Sequence, residues 1–254
     1  MDTPRYPITI EGIQKLIKEY FSSIDTTQEI VDAHLHHAYR YLISMNYIVS
    51  QNICSQGLVI FEAGGKGVFT YLLNNVLSFY NIVHFSGDLR EEINFDANSI
   101  DNILCMEVIE HIADDKKYHE MRFEGVKLML KHFWHILKPN GRILLTTPNI
   151  TSYASLLRIL KNKNPMQYNI HVREYSCEEI LLIANKLCFN VDFISTEFVF
   201  VQRSRYKILR FIMSLFNLNH INRGDTIFAI LRKPDSSIFE GEDIDLAHHI
   251  LQLN

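Results

Sequence analysis

The sequence predicts an α/β fold, a parallel sheet with helices on both faces, and three observations carry that expectation. From Gly57 onward, short apolar runs alternate with segments of helical periodicity, as they do when buried strands are joined by covering helices. One of these runs, 58–61, passes directly into a glycine-rich turn and then a helix over 68–77. The composition, 47% apolar and 21% charged over 254 residues, is that of a packed domain.

Taken in order, residues 8–52 read as two helices ahead of the main fold. Ile13, Leu16, Ile17, Tyr20 and Phe21 recur at helical spacing, and Thr26 with Glu29 forms a capping box for a longer second helix. Val31, Leu35, Ala38, Leu42, Met45 and Val49 give that helix one apolar seam. Strands are expected at 58–61, 82–85 and 100–106. Phe123, Val126, Leu130, Phe133, Trp134 and Leu137 mark a helix over 122–137, and Lys138-Pro139-Asn140-Gly141 stops it with a turn before a strand at 143–145. Ser176 and Glu179 cap a helix reaching about Leu187, and β-rich runs at 191–201 and 226–231 close the sheet around an inserted lid helix at 203–219. The organisation is therefore an N-terminal helical cap (1–56), the main domain (57–233) and a C-terminal tail (234–254).

The net charge of −4 opposes a dedicated nucleic-acid partner, whose affinity would come from phosphate neutralisation. No signal peptide and no apolar run long enough to span a bilayer is visible. The four cysteines form no C-x-x-C pair, and a cytoplasmic location is the expectation.

The turn reads Glu62-Ala63-Gly64-Gly65-Lys66-Gly67. Its glycines let backbone approach a ligand, and the helix that follows offers free N–H groups, although such turns also serve packing alone. A dinucleotide turn needs no acid at Glu62. An acid two residues before the first glycine resembles the E/D-x-G-x-G-x-G element of class I S-adenosylmethionine-dependent methyltransferases. That resemblance continues in order along the chain. Gly87-Asp88, then Cys105-Met106-Glu107-Val108-Ile109-Glu110-His111, which is similar to an EVxEH element, then Leu137-Lys138-Pro139-Asn140-Gly141, similar to an LKPGG turn, extend it over about 57–232. It implies a Rossmann-like methyltransferase sheet and S-adenosylmethionine as cofactor, with Glu62, Gly64, Gly65, Gly67, Asp88, Leu89, Cys105 and Met106 as its contacts.

Two departures stand out. The turn is one residue short, and only 21 residues separate Gly67 from Asp88, too few for the usual passage. Either Asp88 is the ribose acid and one strand-helix unit is lost, or it is the adenine-side acid. The ribose role is favoured, because dinucleotide folds place an acid about 20 residues beyond the glycines.

Glu107, Glu110 and His111 stand at i, i+3 and i+4, one face of a helical turn. This cluster resembles those of the small-RNA 3′-end 2′-O-methyltransferases and the ubiquinone-biosynthesis O-methyltransferases. The resemblance implies a divalent metal held by Glu107, Glu110, His111 and His171. Mixed oxygen and nitrogen ligands suit Mn, Fe, Co or Zn, and Mg less naturally. Two plainer readings stay open: His111 as a metal-free base with Glu107 and His171 assisting catalysis, or a structural cluster.

His34, His36 and His37 are read as solvent or packing residues. Asn149, Tyr153, Arg158, Tyr168 and Arg173 lie where the family builds its acceptor wall. The basic amphipathic stretch within 203–219 reads as a lid over an anionic acceptor, as a peripheral membrane contact, or as a helix packed on the sheet with solvated basic residues. The expected activity is O-methylation of a small molecule or a glycan or nucleotide-sugar precursor. A non-catalytic scaffold and an RNA 2′-O-methyltransferase are the alternatives.

Overall fold

A computed structural model describes residues 8–114, 123–200, 202–219, 221–235 and 239. Most of the expected tail lies outside the described residues. The order is α1 (Ile10–Ser22), α2 (Gln28–His36), α3 (Ala38–Ser50), β1 (Ile60–Ala63), α4 (Val68–Val76), β2 (Ile82–His84), β3 (Ile100–Met106), α5 (Glu124–Ile136), β4 (Leu137–Pro148), α6 (Tyr153–Leu160), α7 (Cys177–Lys186), β5 (Asn190–Glu197), α8 (Lys207–Leu215) and β6 (Thr226–Arg232).

The sheet runs β2-β1-β3-β4-β6-β5. The first four strands are parallel, as the alternating texture implies. The last two correct the all-parallel expectation, because β6 inserts antiparallel between β4 and β5. The β4–α6–α7–β5 passage crosses over to a parallel strand, and the chain then doubles back to fill the gap between them.

Period-two alternation divides the core. Phe61, Ile103, Cys105, Ile143 and Ala229 face α5 and α7, whereas Ile60, Leu104, Leu144 and Ile230 face α1, α3 and α4. Each face is therefore closed by helices whose apolar stripes repeat every three to four residues. Between Ile100 and Asn102 of β3, β4 advances from Leu137 to Arg142, so Lys138-Pro139-Asn140-Gly141 is a bulge in the strand and not a separate turn. Asn140 takes a left-handed φ of +62° there.

The single long helix of the N-terminal region is two. It breaks at His37, and α2 begins after Thr27, whose side chain makes no capping bond, so the Thr26–Glu29 box does not form. The expected seam is also rotated: α3 buries Ala38, Tyr41, Ser44, Met45 and Ile48, while Val49 is exposed. No helix among the described residues is long and apolar enough to cross a membrane.

Candidate active site at the carboxyl ends of the strands

Parallel strands present their carboxyl ends on one edge, where open α/β sheets bind ligands. β1 ends there on Ala63, and Gly64 and Gly65 follow at φ +94° and +90°, a region that side chains disfavour. A Cβ on Gly65 or Gly67 would meet nothing within 4 Å, so both open onto free space. Gly67 N–H donates to Thr70 Oγ1 at 3.2 Å, and the Thr70 hydroxyl donates to Glu62 Oε2 at 2.6 Å. Burial pushes the Glu62 carboxyl up to about 7, against the lowering effect of Thr70.

Glu62, Gly64, Gly65, Gly67, Met106 and Glu107 line a cavity of about 250 Å³, closed from the N-terminal helices by His34, Arg40 and Tyr41. The other expected cofactor contacts do not line this cavity. Cys105 and Leu89 are buried in the core, where strand alternation turns Cys105 away from the cavity. Asp88 lies outside this wall, its Oδ1 accepting from Arg90 N and Nε at 2.9 Å, and those bonds hold it below the usual carboxylate range.

The E-x-x-E-H segment does not form the α-helical turn expected of it. Glu107 follows β3 at a left-handed φ of +57°, and a 3-10 turn covers Ile109–His111. Backbone strain of this kind gathers at functional sites. It sends the two glutamates apart. Glu107 Oε2 pairs with Arg40 of α3 at 2.8 Å. Glu110 is fully buried, with Oε2 accepting from the Thr147 hydroxyl at 3.0 Å and no hydrogen-bond partner for Oε1 among the described residues. Burial and the nearby Glu107 raise its carboxyl well above the ordinary range.

His171 reaches this point from the loop before α7. Val172 N and Arg173 N donate to the Glu110 carbonyl at 2.9 and 3.3 Å. Buried Glu174 takes His171 Nδ1 at 2.8 Å, together with the N–H groups of Gln167 and Tyr168. The His171 and His111 rings then stand edge to face, 5.0 Å apart. Burial, then His171, lower the His111 pKa below the ordinary imidazole value, against the raising effect of Glu107. Glu110, His111 and His171 each offer a ligand atom within 4.8 Å of the others. Of the four expected ligands the structure brings these three together, and Glu107 stands apart from them with its Oε2 paired to Arg40.

A second cavity, of about 490 Å³, is lined by this cluster, Arg158, Tyr168, Phe200, His36 and His37, and it shares Arg40 and Glu107 with the first. His36 stacks on Phe200 at 5.3 Å, a packing role as expected, and the helix break sets His36 and His37 along this cavity while His34 lines the first. Of the expected acceptor wall, Arg158 and Tyr168 are present. Asn149 is buried, donating to the Asn222 and Gly224 carbonyls, and Tyr153 stacks against Tyr206 in a small core. Arg173 pairs with Glu179 and lies over the Phe123 ring at 4.5 Å. Asn149 and Tyr153 are buried, and Arg173 is partly exposed but engaged by Glu179 and Phe123. Sequence reasoning missed Arg40, for which no local pattern speaks, and Glu174, which stands three residues after His171 and was legible as its partner.

A methyltransferase domain family model matches residues 32–192. No curated protein matches the chain. Among solved structures, a SAM-dependent methyltransferase of Archaeoglobus fulgidus shares the fold at 17% identity and a TM-score of 0.50, over 76% of this chain and 94% of that one. One from Thermotoga maritima does so at 17% identity and 0.52, over 85% and 98%. With a glycine-turn cavity at the strand ends opening against a second, histidine-lined one, the chain belongs to the methyltransferase domain family and is a class I S-adenosylmethionine-dependent methyltransferase.

Proposed function

We propose that this enzyme methylates a hydroxyl oxygen of a small molecule or a glycan or nucleotide-sugar precursor, assisted by a divalent metal at Glu110, His111 and His171. The observation that carries the reading is the wall shared by the two cavities. Arg40 and Glu107 stand between the glycine turn and the histidine cluster, so a donor in one cavity meets an acceptor in the other.

Glu62 pairs with the cationic amino-acid end of the cofactor, and Gly65 and Gly67 admit it at backbone distance. Ionised Asp88 is the ribose acceptor, with His84, 3.8 Å from Glu62 at the end of β2, as the second candidate. The buried, unpartnered Glu110 Oε1 and the two imidazoles fit a Mn, Fe, Co or Zn ion, since two histidines and one carboxylate are a recurrent divalent set. Such an ion, when bound, lowers the pKa of a hydroxyl. Glu174 fixes the His171 tautomer so that Nε2 is the nitrogen left for a ligand. Where no ion is bound, neutral His111 accepts the hydroxyl proton as the methyl group passes to oxygen. Arg158 suits a phosphate or carboxylate on the acceptor.

Titration of S-adenosylhomocysteine into metal-stripped protein, with and without Mn²⁺, tests this. Saturable binding is expected in both, weakened by Asp88→Ala or, if the second candidate holds, His84→Ala. His111→Ala should stop turnover over a panel of hydroxylated acceptors while keeping cofactor binding. Retained turnover would overturn the role given to His111.

A further inference from the structure

The 3-10 turn Arg203–Tyr206 leads into α8, and this helix is apolar on two faces. Tyr206, Leu209 and Met213 face inward and pack with Tyr153, Leu156, Leu157 and Phe198. The opposite face carries Ile208, Phe211, Ile212 and Leu215 at i, i+3, i+4 and i+7. Ile208 is 77% exposed, and Phe211 and Leu215 are each 69% exposed. Phe216 and Leu218 prolong the exposed surface past the helix end. Surface helices ordinarily present charge outward, and a contiguous apolar surface with a basic rim marks an interaction site.

The rim decides what covers it. Arg203, Arg205, Lys207, Arg210 and Arg223 lie between 203 and 224 with no acidic residue among them, in a chain whose net charge is −4. The first acid, Asp225, is buried and accepts from Val199 N and Phe200 N. Positive charge around large exposed apolar side chains is complementary to anionic headgroups over acyl chains. α6 joins this surface to the site: Ala154 and Arg158 line the acceptor cavity, and Tyr153, Leu156 and Leu157 of the same helix hold α8.

We propose that α8 docks on an anionic lipid bilayer, with Phe211 and Leu215 in the acyl boundary and Arg203, Arg205 and Lys207 on phosphate headgroups. The acceptor cavity then faces a membrane-anchored substrate. That second clause rests on the proposed function, whereas the docking does not.

Co-sedimentation of the full chain with vesicles of phosphatidylcholine alone, or mixed with phosphatidylglycerol, tests the docking, with sedimentation velocity run in parallel. Binding is expected only with phosphatidylglycerol and should weaken as salt is added. Phe211→Ser with Leu215→Ser should reduce it at least about tenfold, the scale of one large apolar side chain returned to water. Replacing Arg203, Arg205 and Lys207 by glutamine should also weaken it. Both variants should bind S-adenosylhomocysteine as the parent does, which separates failure of docking from failure of the methyltransferase site. Absence of vesicle binding overturns the proposal. So does a dimer that Phe211→Ser with Leu215→Ser dissolves, which would assign the face to a second copy of the chain.

Discussion

At the scale of single residues, Glu62 links sequence to a measurable proton. Its buried carboxyl accepts from the Thr70 hydroxyl, and burial holds its pKa at about 7 against an ordinary 4.5. Near neutrality it is therefore partly protonated, and a cationic ligand favours the carboxylate. Binding of S-adenosylhomocysteine at pH 7 should release a fraction of a proton, and affinity should climb with pH and level off above about 7. Calorimetry in buffers of different ionisation enthalpy reads this directly. Glu62→Gln should abolish the buffer dependence, and its persistence would assign the proton to another group. Glu62 and the glycines were legible because the turn is local. Asp88 was placed by spacing alone, and spacing could not show that Arg90 already bonds its carboxylate.

At the scale of elements, helices and strands with strong local signals form where the residues predict them. β3 spans the expected 100–106, and α5 covers the core of 122–137. α7 starts on a complete capping box, with Ser176 Oγ accepting from Glu179 N at 3.2 Å and Glu179 Oε2 accepting from Ser176 N at 2.8 Å. Ser176→Ala should cost about 1 kcal/mol, seen as a lower urea midpoint with unchanged slope. An unaltered midpoint would show that packing alone sets the start of α7. The break at His37 was not legible, because a continuous 3.6-residue pattern runs through it. Contacts of His36 and His37 with Phe200, which lies far along the chain, accompany the redirection of the helix.

At the scale of the whole molecule, the Arg40–Glu107 pair joins the N-terminal helices to the strand edge. The two side chains are 13% and 14% exposed. Removing one partner of such a pair leaves a largely buried charge unpaired, at a cost of about 3 kcal/mol. Arg40→Ala should destabilise the fold by that order in urea unfolding, and adding Glu107→Ala should restore part of the loss. Purely additive effects would show that the two charges do not depend on one another.

The sequence by itself determined the fold class, the glycine turn, the position of the His111 segment and most element boundaries. These follow from periodicity and turn chemistry, which act over a few residues. Only the tertiary structure decided which polar groups converge. It paired Glu107 with Arg40, brought His171 and its partner Glu174 beside Glu110, buried Asn149 and Tyr153, and turned the apolar face of α8 outward. The physical reason is that side-chain pairing between distant elements depends on how layers dock. A buried carboxylate takes whichever cation the docking delivers, and no local pattern encodes that choice.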